Sequence, residues 1–116
     1  MNNEELEKLK ELKTKQSLEK LKLKYEVQLM KHGFYFVNIV VENERYMFLE
    51  YKNIKGSEKL LGSVIKIWHD NLTDNTNAEF IIDLPLQNEY RHWKHLSIKK
   101  LLGILEEIES TGKIPL

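Results

Sequence analysis

Glu50 and Lys52 sit two residues apart at the end of the run "MFLEYKN" (47–53). On a strand, side chains two apart share a face. The pair is either the polar end of a surface strand or the carboxylate and lysine of a metal-dependent phosphodiesterase. Magnesium takes oxygen ligands, commonly one or two carboxylates with phosphate and water. The metal sharpens an attacking water and offsets phosphate charge. A lysine beside it stabilises developing negative charge.

A second candidate is "EYRHWKHLSIKK" (89–100). Arg91, Lys94, Lys99 and Lys100 are interleaved with Tyr90, His92, Trp93 and His95. Cations beside rings grip phosphates and stack on bases. The plainer alternative puts Tyr90 and Trp93 in the core and leaves the charges in water. His92-x-x-His95, with Glu89 one helical turn earlier, has the spacing of metal ligands, but without cysteine or a firm third ligand it reads as exposed histidines and no metal site is assigned. His32 and His69 show no partner in the sequence. A Gly-rich phosphate loop, G-x-S-x-G and H-E-x-x-H are all absent from the chain.

These residues need elements to hold them. Asn2 and Glu5 have capping-box spacing, and residues 4–18 are strong helix formers. Glu4 with Lys8, and Glu11 with Lys15, have the i,i+4 order that supports an exposed helix. Leu6, Leu9 and Leu12 repeat every three residues, a stripe that drifts and is not a sustained heptad. This helix either folds over the sheet or protrudes (residues 1–20) and pairs with a copy of itself or with a partner. Leu21, Leu23, Tyr25, Val27 and Leu29 alternate with polar residues, which predicts a strand over 21–30. His32-Gly33 then supplies a turn.

"FYFVNIVV" (34–41) is apolar on both faces and reads as a central strand covered on both sides. "YMFLEYK" (46–52) is a third strand in an antiparallel meander. Leu60, Leu61, Val64, Ile65, Ile67, Trp68 and Leu72 fall within an arc of roughly 160° on a helical wheel, predicting a helix from Ser57 to about residue 70. "NLTDNTN" is a loop, and 78–84 is a strand stopped by Pro85. Leu86, Tyr90 and Trp93 suggest a short helix over 86–95, with a fifth strand as the competing assignment. Ser97 caps a final helix closed by Gly112. The class is α+β: a single domain in the order α-β-β-β-α-β-α(-α), an antiparallel meander sheet flanked by helices, with helices on both faces accounting for the strand at 34–41.

Lys+Arg and Asp+Glu both number 18 in 116 residues, so net charge is zero, which argues against a strongly basic nucleic-acid binder or an acidic DNA mimic. Cysteine is absent, which removes disulfides and cysteine-based zinc sites. The charged N-terminus lacks the apolar core of a signal peptide, and no run approaches the ~20 apolar residues of a membrane span. The expected location is cytoplasmic, with no membrane partner.

The order αβββαβ, with Glu50-Tyr51-Lys52 on the third predicted strand, resembles the core of the PD-(D/E)XK nucleases over residues 4–84. The resemblance implies that Glu50 ligates magnesium, that Lys52 stabilises charge, and that a second acid stands on the preceding strand. Asn38 holds that place here. A two-residue turn at Asn43-Glu44 sets Asn38 opposite Leu49; a three-residue loop sets it opposite Glu50.

The chain lacks a complete catalytic set. The leading expectation is a non-catalytic protein that binds another macromolecule, foremost a protein, through the N-terminal helix and the segment Tyr90–Lys100, with no cofactor. Its lysine-, isoleucine- and asparagine-rich style resembles products of phages and mobile elements, which inhibit or adapt a larger host machine. The alternative is a magnesium-dependent nuclease, or an inactive relative that binds nucleic acid. A third reading is a dimeric chaperone similar to those of type III secretion, which share the early α, β, β, β, α order; a homodimer would then form through the first helix.

Overall fold

A computed structural model describes residues 3–115, with side chains for residues 3–5, 16 and from 19 onward. The order is α1 (Asn3–Lys31), β1 (Phe34–Val41), β2 (Tyr46–Asn53), β3 (Val64–Asp70), β4 (Thr76–Leu84), a 3-10 turn (Pro85–Gln87), β5 (Glu89–Leu96) and α2 (Ile98–Thr111). The strands form one antiparallel sheet in the order β1-β2-β3-β4-β5. The α+β class and the meander stand as expected. The cap at Asn2, the Glu4–Lys8 and Glu11–Lys15 pairs and the stripe of Leu6, Leu9 and Leu12 fall outside the described residues or side chains.

Residues 21–30 are helix, not strand. A period-two run always contains an i,i+4 subset, and the helix uses it. Leu21, Tyr25 and Leu29 line the core, while Leu23, Val27 and Met30 face away, exposed by 72%, 63% and 41%. With no proline or glycine before Gly33, nothing interrupts the helix formers. Gly33, at φ 87°, ends the helix, and its N–H donates to the Met30 carbonyl.

Residues 57–70 are not a helix. One turn forms, in which the Ser57 carbonyl accepts from Leu60 and Leu61. Gly62, at φ 83°, stops it. Val64–Asp70 then extends as β3, with Ile65, Ile67 and His69 buried and Val64, Lys66, Trp68 and Asp70 on the other face. Valine, isoleucine and tryptophan suit a half-buried strand as well as they suit a helix stripe. Residues 89–96 follow the competing assignment and form β5.

β1 is an edge strand, not a central one. Both helices pack on one face of the sheet, where Tyr25 and Leu29 of α1 and Leu101, Leu105 and Ile108 of α2 join Phe34, Met47, Leu49, Tyr51, Ile65, Ile67, Phe80 and Ile82 in one cluster. Among the described residues, the opposite face has no helix against it. At the ends of α2, Ser97 accepts from the Lys100 N–H and Gly112 takes the left-handed cap, as the sequence indicates. Among the described residues, no helix is long and apolar enough to cross a membrane.

Tyr51 is fully buried on the core face, and its hydroxyl has no hydrogen-bond partner among the described residues. Burial, with Glu26 nearby, pushes its pKa up to about 12. Tyr51→Phe is expected to raise stability by about 1 kcal/mol at neutral pH, because an unsatisfied hydroxyl leaves the core. The folded pKa lies above the unfolded one, so the wild type loses stability as pH rises from about 10 towards 12. Urea titrations across that range should show a shallower decline in Tyr51→Phe; parallel declines would refute the assignment.

Candidate functional site

The uncovered sheet face gathers the chemistry. Strand alternation puts Tyr46, Phe48, Glu50 and Lys52 of β2 on it, beside Lys66 and Trp68 of β3, Asn77, Glu79 and Asp83 of β4, and Tyr90 and His92 of β5. Its register begins at the β1–β2 hairpin. Asn43 Oδ1 accepts from the backbone N–H groups of Arg45 at 2.9 Å and Tyr46 at 2.8 Å, closing a three-residue loop. Asn38 therefore pairs with Glu50. Lys66 and Glu79 continue that row across β3 and β4.

Glu79 is the hub. It accepts from Trp68 Nε1 at 2.9 Å and bonds His92 Nε2 with its other oxygen. Burial pushes the Glu79 carboxyl up, but the bonds from Trp68 and His92 and the charge of Lys66 outweigh it and hold the pKa below the ordinary value. The carboxylate fixes the edge of the Trp68 ring, whose face meets Phe48 at 4.5 Å between centroids, with Lys66 Nζ over Phe48 at 4.9 Å.

A β-bulge builds the rim. The β4–β5 register shifts between Ala78 and Phe80, so Lys94 and His95 together oppose Glu79. His95 takes φ 56°, a left-handed conformation uncommon outside glycine. The bulge turns two consecutive side chains to one face, where alternation allows one. Lys94 and His95 with Tyr46, Trp68, Asn77 and Glu79 line a recess of about 410 Å³. At its edge Arg45 is bound to Asp70 by two hydrogen bonds, at 3.0 and 2.9 Å, and lies over the Tyr46 ring at 5.0 Å. The Arg45 guanidinium holds the Asp70 carboxyl well below the usual carboxylate range.

The segment 89–100 is not one surface. Tyr90, His92, Lys94 and His95 face the open side. Trp93 stacks on Phe80 on the core side, with centroids 5.2 Å apart and planes 15° apart. Arg91 lies opposite Ile82, also on the core side, and Lys99 and Lys100 are exposed in the first turn of α2. The spacing Glu89, His92, His95 does not converge either: Glu89 holds Lys59 at 2.9 Å, and His92 holds Glu79. Among the described residues no three His, Asp or Glu side chains group closely enough to hold a metal ion.

Sequence reasoning missed the partners of two histidines. His32 bonds Glu109, tying the end of α1 to α2. His69 is buried between Thr76 at 3.4 Å and Asp74 at 3.2 Å. It also missed Glu79, whose role depends on three strands meeting in register. Comparison with protein-family models, with curated proteins and with solved structures finds no match.

Proposed function

We propose that this is a non-catalytic cytoplasmic interaction protein that docks another protein on the open sheet face around Trp68, as an inhibitor or adaptor of a larger assembly. The observation that carries this is the uncovered array of Tyr46, Trp68, Tyr90, His92 and His95 on a rigid five-strand platform. Protein interface cores are enriched in tyrosine, tryptophan and arginine, and rigid aromatic anchors carry much of their binding energy. The face carries Lys52, Lys66 and Lys94 against Glu50, Glu79 and Asp83, a balance that suits a protein surface better than a phosphate backbone.

Trp68→Ala is expected to weaken partner capture by tenfold or more, the scale of a ~1.4 kcal/mol anchor. Trp68 lies outside the core cluster, so its far-ultraviolet circular dichroism should be unchanged. Capture from the native host through a high-salt wash, compared between wild type and Trp68→Ala, is the test. Equal capture by both proteins would remove this face as the docking surface. The competing reading takes support from the three-residue loop, which sets Asn38 across from Glu50 and puts Lys52 on the same face. It requires magnesium- or manganese-dependent cleavage of DNA or RNA that Glu50→Gln abolishes. Its inactive variant requires salt-sensitive nucleic-acid binding that weakens in Arg91→Ala and Lys94→Ala.

A further inference from the structure

The period-two run of residues 21–29 becomes, on a helix, two apolar stripes on opposite faces. One stripe, Leu21, Tyr25 and Leu29, belongs to the core. The other, Leu23 and Val27, is exposed and is extended by the exposed Met30. Among the described residues, the sheet contacts of α1 fall at its C-terminal end: Lys20, Leu21, Lys24 and Tyr25 border a recess shared with His69, Asp74 and Thr76, and Lys22 Nζ sits 4.4 Å over the Phe36 ring. At ~1.5 Å per residue, 29 residues run about 43 Å, while an eight-residue strand runs about 27 Å. The helix therefore overhangs the sheet, and the molecule measures 56 × 25 × 21 Å.

From the geometry we infer that a second copy of this chain pairs with α1, antiparallel, along the exposed stripe. Extending the helix to Lys31 changes the meaning of its leucines. Positions 6, 9, 13, 16, 20, 23, 27 and 30 step by three and four residues in turn, the seam spacing of a two-helix pair. In sequence, that spacing reads Leu6, Leu9, Lys13, Gln16, Lys20, Leu23, Val27 and Met30. An antiparallel copy brings the register of Leu6 to Met30 and of Leu9 to Val27, apolar against apolar at both ends.

Charge selects the orientation. Residues 4–11 carry Glu4, Glu5, Glu7 and Glu11 against Lys8 and Lys10, whereas residues 20–31 carry Lys20, Lys22, Lys24 and Lys31 against Glu26. Antiparallel pairing lays the acidic start of each helix along the basic end of the other. Parallel pairing would set Lys13 and Lys20 against their own copies inside the seam. The contact is isologous and closes as a two-fold dimer. It also accounts for an overhanging helix, since short isolated helices are marginal in water. It is independent of the open-face reading, because the two surfaces share no residue.

Light scattering and sedimentation of the full chain test this. The wild type is expected at twice the 13.8 kDa chain mass at high micromolar concentration. Val27→Glu and Met30→Glu, at exposed positions outside the core and opposite Leu9 and Leu6, should raise the dissociation constant at least tenfold while circular dichroism stays unchanged. The absence of native cysteine makes crosslinking clean. Lys31→Cys alone should not crosslink to itself, whereas Lys31→Cys mixed with Asn3→Cys should. A monomeric wild type, a dimer indifferent to Val27→Glu, or self-crosslinking of Lys31→Cys would overturn the proposal.

Discussion

Phe80→Ala should cost about 3–5 kcal/mol, the range for deleting a large aromatic ring from a packed core. Phe80 is fully buried in β4 and touches the cluster in two ways: its edge meets Phe34 at 6.0 Å and 78°, and its face stacks on Trp93. Phe34 is the first residue of the edge strand β1, and Trp93 lies in β5 at the other edge. One ring thus links both margins of the sheet across the core face, and its loss leaves a void that β1 and β5 cannot both close. Domains of this size have a total stability of ~5–15 kcal/mol, so a large share would disappear. The melting temperature should fall by at least about 12 °C. Trp93→Ala should cost less, because Trp93 is only half-buried and its outer face already meets water. A Phe80→Ala loss under about 1 kcal/mol in urea would show that the core does not depend on this stack.

The parts of this fold that the sequence announces are those where one local rule acts without a rival. Ser97 and Gly112 bracket α2, with an apolar face between them and no competing period. β1 and β2 are equally plain, since β-branched and aromatic residues crowd Phe34–Val41 and Tyr46–Asn53. The failures come where two periods fit the same residues. Over 21–29 every apolar position satisfies both alternation and the i,i+4 rule; what decides is the helix already running from residue 3, which propagates more cheaply than a new strand nucleates. Over 57–70 the apolar arc on a helical wheel is real, but Gly62 at positive φ interrupts it and leaves seven residues, enough for a strand and short for a helix.

The edge position of β1 was illegible for a different reason. Its two apolar faces suggest burial, yet Val37, Ile39 and Val41 are exposed by 53%, 40% and 60%. Such an exposed apolar edge is a template for pairing. The site was legible in half. Glu50, Lys52, Tyr90 and Lys94 do share the open face, and the choice between hairpin loops named the register that occurs. Glu79 and the bulge at Lys94 and His95 depend on how β4 meets β5, which no local pattern encodes.

The second large effect belongs to Gly33→Ala. Gly33 joins α1 to β1 at φ 87°, where alanine is disfavoured by about 1–2 kcal/mol. A methyl there would also stand 2.5 Å from the Gly56 nitrogen and 2.8 Å from the Lys55 carbonyl carbon, both backbone atoms that no rotamer change can move. The junction is knotted by Asn53, which is buried: its Nδ2 donates to the His32 carbonyl at 2.9 Å, and its Oδ1 accepts from the Gly56 N–H at 2.7 Å. The Ile54 N–H closes the knot on the Gly33 carbonyl at 3.0 Å. Strain and clash together should cost about 3 kcal/mol or more, because relieving the contact breaks hydrogen bonds whose buried groups find no water. The same knot sets the angle at which α1 leaves the sheet, so any surviving folded population should lose the buried positions of Tyr25 and Leu29 first. Hydrogen exchange on Gly33→Ala should show residues 20–31 opening well before β2–β4. Uniform opening of the whole chain, or a stability loss below about 1 kcal/mol, would mean that the junction adapts and that α1 is not held by Gly33.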